Sequence, residues 1–122
     1  MSAAHFKLDT LCGLVDVNRM QIDGPTEKVM NIEPLLDRLT AFGMRAFRVD
    51  GHDVDALSAP AELAPDGSPL IVLAYTDPCQ GIDFLEERRP KLHYVRFKDE
   101  DERARYSQVL ATMKMHSCSH WS

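Results

Sequence analysis

The 122-residue chain has no basic cluster, no long apolar run and only three cysteines, and each shortage closes off a class of function. Nineteen acidic side chains against fourteen basic ones give a formal net charge of -5 at pH 7. No group of lysines and arginines is large enough to neutralise a phosphate backbone, so nucleic acid is not an expected partner. No apolar run approaches the roughly 20 residues that a membrane span needs, and the N-terminus lacks the basic-then-apolar order of a secretory signal. A cytoplasmic protein is the expectation. Cys12, Cys79 and Cys118 form an odd, widely spaced set that fits reduced thiols rather than a disulfide framework.

What is present is ordinary for one globular domain. The chain is 44% hydrophobic and 27% charged, and residues 1–122 are expected to form a single domain. A chain this short buries a core with little to spare, so a missing sheet neighbour or an uncovered helix face would matter. The densest charge run, KDEDERAR from Lys98 to Arg105, mixes both signs at helical spacing and reads as a solvated helix face.

Strand and helix signals alternate. Residues 11–17, LCGLVDV, read as a buried parallel strand, and the AAHFKL that precedes it reads as the last turns of a helix, as though the start were cut into a larger pattern. A loop from Asn18 to about Asn31 leads into a helix with Asn31 as its cap, Pro34 near its start, Leu35, Leu36, Leu39 and Phe42 on one face, and Gly43 at its end. Residues 44–51 predict a strand, and Asp53 caps a short helix that Pro60 and Pro65 should stop. PLIVLAYT, residues 69–76, is the strongest strand and should be covered on both faces. The last helix, from about Asp99 to Met115, has Asp99 and Glu102 at capping-box spacing and an apolar stripe of Tyr106, Val109, Leu110 and Met113, a docking face rather than a cofactor box.

Such alternation predicts an α/β fold: a small parallel sheet flanked by helices and joined by right-handed crossovers. Ligands in such folds bind outside the carboxyl ends of the strands, so the loops to search begin at Asn18, Gly51 and Thr76. The first, NRMQIDG, offers the amide of Asn18, free backbone carbonyls and a turn at Asp23, Gly24 and Pro25. Magnesium and calcium take oxygen ligands of this kind. An asparagine at a strand end is also a common turn former, and the spacing alone leaves both readings open.

The stretch KLDTLCGLVDVNRMQIDGPTEKVMNIEPLLDRLTAFGMRAFRVDGHDVDAL resembles the amino-terminal subunit or domain of transketolases, in the branch that reads close to KLDNL, VDVNxxQxDG, AFGW and VDGHD. The match runs for about 50 residues, and weaker similarity continues through PLIVLAYT into GIDFLEERRPKLHYVRFKDEDE. The resemblance is to the C-terminal half of the thiamine-diphosphate-binding domain, so the expected fold is half of a diphosphate-type unit.

The resemblance implies a thiamine-diphosphate enzyme, a transferase moving a two-carbon ketol unit between sugar phosphates or related ketose and aldose substrates. It places the metal ligand on Asn18, a second ligand on the Met20 carbonyl, and an apolar contact with the cofactor rings on Ile22. The metal, Mg2+ or Ca2+, would clamp the diphosphate. His93 lies where the family has a WHG motif whose histidine contacts the diphosphate and the reacting sugar, which implies a proton-transfer or oxyanion-stabilising role; this chain reads LHY, and a partly exposed structural histidine is the other reading. His52 is expected to hydrogen-bond its loop rather than to catalyse.

The loop TDPCQG departs from the family's TxKGKG-like pattern, keeping Thr76 and Gly81, and lost glycines mean lost close backbone approach. Cys79 has no evident histidine partner and reads as a bystander. His116, Cys118 and His120 in the tail have the residue types of a soft-metal site but sit at alternate spacing on a terminal segment. The family's glycine-aspartate-glycine motif, which carries the other metal carboxylate, does not occur in the sequence. The expectation is therefore one part of a split enzyme, sharing thiamine diphosphate and metal with one or more partner chains that carry that motif and the pyrimidine-binding domain, and not turning over alone. The alternative is a non-catalytic interaction or regulatory remnant.

Overall fold

The computed structural model describes residues 1–94 and 96–118, with side chains through residue 115. The chain divides into two compact units, Met1–Gln80 and Gly81–Ser122.

In the first unit, helix α1 (Ser2–His5) precedes strand β1 (Cys12–Val17). The segment expected as plain loop contains a miniature antiparallel hairpin, β2 (Met20–Gln21) and β3 (Gly24–Pro25), and one turn of helix, α2 (Thr26–Val29). Then come α3 (Leu35–Ala41), β4 (Arg45–Asp50), α4 (Val54–Ser58) running into a 3-10 turn at Ala59–Glu62, and β5 (Leu70–Tyr75). Asp53 caps α4 as the sequence predicts, its Oδ1 accepting from the N–H groups of Asp55 and Ala56. The cap of α3 differs from the prediction. Asn31 Oδ1 accepts from Glu33 N, and it is Glu33 Oε2 that accepts from Leu35 N, each at 2.9 Å.

The three long strands make a parallel sheet in the order β1-β5-β4, with helices against it. The last strand among the described residues is therefore central. Its run of six residues is buried except for half-buried Tyr75, because a parallel strand with neighbours on both sides has no face left for water. Leu73, at 0% exposure, is the deepest side chain, and with Val17 and Ile71 it receives Leu35, Leu36 and Leu39 from α3. β1 is different. Leu14 is 65% exposed and Leu11 and Val15 are also exposed, although they lie on or beside a strand that is largely apolar.

The register matches Val17 and Asp50 with Tyr75 on either side, so all three carboxyl ends lie level. The loops beginning at Asn18, Gly51 and Thr76 consequently share one sheet edge.

The second unit holds a 3-10 segment (Asp83–Arg88) and α5 (Glu100–Cys118). Tyr106 packs edge-on to Phe84 at 4.5 Å between centroids and tilts against Phe97. Arg88 pairs with Glu102 and donates to the Arg96 carbonyl. The predicted capping box is present in shifted form: Asp99 Oδ1 accepts from Glu102 N at 2.8 Å, while Glu102 Oε2 accepts from Lys98 N. Leu110 and Met113 stay exposed.

Candidate functional site

The sheet edge brings together residues far apart in sequence. Asn18 follows β1 directly and is half-buried. Its Oδ1 accepts from Met20 N at 2.9 Å, an Asx turn that starts the hairpin, and its Nδ2 donates to Asp16 Oδ2 at 3.4 Å. Met20 lies opposite Pro25 in the hairpin, and because Thr26 N donates to the Arg19 carbonyl this is a non-hydrogen-bonded pair, with the Met20 carbonyl turned away from β3. Ile22, in the turn between β2 and β3, is 65% exposed. Arg19, between the two candidate ligands, has φ 59°, a left-handed conformation that turns the chain sharply after the strand.

Thr76, at the end of β5, donates its hydroxyl to Asp16 Oδ1, and its N–H donates to the Val17 carbonyl at 3.3 Å. Gly51, at the end of β4, donates its N–H to the Tyr75 carbonyl at 2.8 Å, and a β-carbon at 51 would collide with Thr76 Cγ2. The missing side chain at 51 is thus what lets the β4 and β5 loops close on each other. His52 accepts from Asp77 N through Nε2 at 2.8 Å, so its hydrogen bond reaches the β5 loop rather than staying within its own loop as the sequence suggested. Sequence reasoning missed the role of Asp16 and the hydroxyl link from Thr76. The two residues are sixty positions apart, and only the strand order joins them.

A second group sits on the α3 side of that edge. Tyr75 donates its hydroxyl to Glu33 Oε1 at 3.1 Å, and the guanidinium carbons of Arg48 and Arg19 lie 4.1 and 5.8 Å from the Tyr75 ring centroid. The Leu35 N–H holds the Glu33 carboxyl below its ordinary value of 4.5, helped by the Tyr75 hydroxyl and the two arginines and opposed by desolvation. Burial, then the bond to Glu33, pushes the Tyr75 phenol up, so it remains a donor. A carboxyl depressed by folding adds stability above its unfolded value and loses it as pH falls through the folded value. Between about pH 6 and about pH 3, the first unit of the native chain is therefore expected to lose more stability than that of Glu33→Gln. Amide-exchange protection of Leu70–Tyr75 at the two pH values, corrected for intrinsic exchange, tests this, and parallel pH profiles would show that Glu33 carries no such linkage.

His93 belongs to the second unit, where it is exposed and edge-on to Tyr94 at 4.6 Å. The tail reading on His116, Cys118 and His120 falls outside the described side chains.

Chemically, the first-unit edge offers oxygen donors of the type that hard cations take: an amide oxygen with a second lone pair, and a main-chain carbonyl without a cross-strand N–H. Those residues fit half of a Mg2+ or Ca2+ site for a diphosphate. Asp16 stands beside them, its Oδ1 accepting from the Thr76 hydroxyl and its Oδ2 from the Asn18 amide.

A parallel α/β unit with its ligand loops gathered at the carboxyl edge is the class of protein this fold defines. The chain is similar to an uncharacterized transketolase family protein of Sinorhizobium fredii, 41% identical over 104 residues that make up 83% of this chain and 37% of that protein. It is 35% identical over 105 residues to an apulose-4-phosphate transketolase subunit from Actinobacillus succinogenes, covering 85% of this chain and 38% of that one. A 6-deoxy-6-sulfo-D-fructose transketolase subunit from a Clostridium species is 38% identical over 88 residues, 70% of this chain and 32% of that protein. The chain thus spans about a third of the length of these curated relatives, which are transketolase-family proteins and include named subunits. In fold, it matches the crystal structure of a transketolase mutant from Pichia stipitis with fructose 6-phosphate. That match has a TM-score of 0.55 at 20% identity, over 95% of this chain and 21% of that one. No protein-family model matches.

Proposed function

We propose that this chain is a transketolase-family subunit that supplies one side of the metal and diphosphate site of a thiamine-diphosphate-dependent transferase, and that a partner subunit supplies the rest. The observation that carries the reading is the Asx turn at the sheet's carboxyl edge, in which the Asn18 amide oxygen accepts from the Met20 N–H and keeps a second lone pair. Asn18 and Met20 would hold Mg2+ or Ca2+, and the exposed Ile22 would lie against the apolar rings of the cofactor. Thiamine diphosphate, when bound, supplies the electron sink for breaking and making the carbon–carbon bond of a ketose. The first unit's own contribution is to fix the diphosphate end; for His93 a proton-transfer role is carried over from the family's motif position alone.

The partner reading draws support from two sources. Relatives of this chain are named as transketolase subunits, and the apolar Leu14 is left 65% exposed on a parallel strand. The partner would carry the glycine-aspartate-glycine carboxylate and the pyrimidine-binding domain. The substrates are a ketose donor and an aldose acceptor, phosphorylated or otherwise anionic, by analogy with the names of those relatives.

The test is a calorimetric titration of thiamine diphosphate into the chain mixed with its partner, with and without Mg2+. Binding that requires both Mg2+ and the partner is the expected result. A stable complex with no metal-dependent binding would instead make the chain a non-catalytic interaction or regulatory remnant.

A further inference from the structure

The orientation of the Asn18 amide is set by two neighbours that agree. Met20 N–H requires an acceptor and so faces Oδ1, while the Asp16 carboxylate requires a donor and so faces Nδ2. A flipped amide would oppose donor to donor and acceptor to acceptor. The Asx turn is local to β1, but the carboxylate that completes the grip is not free to choose its own rotamer. Its other oxygen is taken by the Thr76 hydroxyl from the neighbouring strand. Thr76 itself is placed by its N–H on the Val17 carbonyl and by the space that Gly51 leaves for its methyl group.

We infer that Thr76, acting through Asp16, is a positioning residue for the metal ligand Asn18: the loop after β5 aims the cation-binding amide of the loop after β1. The inference rests on the metal-loop reading given above and adds a determinant of metal affinity outside that loop. Outer-shell hydrogen bonds of this kind orient a ligand and typically change metal affinity by about 10- to 100-fold when lost. The link here is one step further from the metal, so the lower end applies. The hydroxyl is the active part. Valine at 76 keeps the branched shape and removes only the donor.

The experiment uses the full chain in complex with its partner, with thiamine diphosphate saturating, and titrates Mg2+ by calorimetry. Thr76→Val is expected to raise the apparent Kd for Mg2+ by about tenfold, and Thr76→Ser, which keeps the hydroxyl, is expected to restore it. If Thr76 acts through Asn18, Thr76→Val adds nothing further in an Asn18→Ala background, which a general structural role would not predict. In the full chain without metal, the two side-chain amide proton signals of Asn18 should move or broaden in Thr76→Val and remain as in the native chain in Thr76→Ser. Should the valine variant fold poorly, Thr76→Ala carries the same titration. An unchanged Mg2+ affinity in Thr76→Val beside a weakened one in Asn18→Ala overturns the positioning role and leaves the metal loop standing. An Asn18→Ala variant that binds Mg2+ as well as the native chain overturns both.

Discussion

Replacing Asn18 by alanine is expected to weaken Mg2+-dependent binding of thiamine diphosphate to the assembled complex by at least about 100-fold, the upper end of what loss of an outer-shell group costs a metal site. The argument separates binding from folding. Asn18 makes two local hydrogen bonds, one to Met20 N and one long contact to Asp16. Their net worth to stability is about 1 kcal/mol, because water replaces them at a half-exposed turn. A variant with nearly native exchange protection of the first unit and greatly reduced metal affinity is therefore the outcome that assigns the amide oxygen to the cation. Equal losses in stability and binding would instead make Asn18 a turn former, the other reading that the strand-end position permits. Calorimetry of the complex and amide hydrogen exchange of Leu70–Tyr75 in the chain alone give the two numbers to compare. Unchanged binding would remove the metal from this loop.

The parts of this fold that follow from short-range pattern were legible in the sequence. β5 is a continuous apolar run behind a proline turn, and a fully buried central strand produces that pattern. Asp53 announced the start of α4 because a capping carboxylate acts on N–H groups only two and three residues ahead. Where two local options compete, pattern was insufficient. Asn31 and Glu33 both precede α3, and which one reaches the Leu35 N–H depends on how the chain turns between them. The hairpin of β2 and β3 escaped notice because two-residue strands carry no periodicity. The site divides the same way. Asn18 and Met20 sit within one short motif, and the resemblance to transketolases singled them out as candidates. Asp16 with Thr76, and Glu33 with Tyr75, meet across the sheet and its covering helix. Their contact follows from β5 lying between β1 and β4, an order that a linear reading does not contain.

That same strand order makes Leu73→Ala the most disruptive single truncation expected in the first unit. Leu73 is 0% exposed at the centre of the sheet, packed beneath α3 with Val17 and Ile71. Truncation removes its transfer free energy and leaves a cavity that two flanking strands and a helix prevent from closing, at a cost of about 2–5 kcal/mol. Because the chain has two compact units, a single bulk transition is the wrong measure. Amide hydrogen exchange of Leu70–Tyr75 reads the first unit directly, and about 2–5 kcal/mol corresponds to a loss of protection of about 30- to several-thousand-fold. Leu14→Ala is the control. It removes an equal side chain from the neighbouring strand, but at 65% exposure that side chain has little burial to lose, and a cost within about 0.5 kcal/mol is expected in the chain alone. Comparable losses from the two variants would mean that β1 is as deeply covered as β5. The exposed Leu14 would then no longer support a partner beside that strand, and the case for a partner would rest on the relatives that are named as subunits.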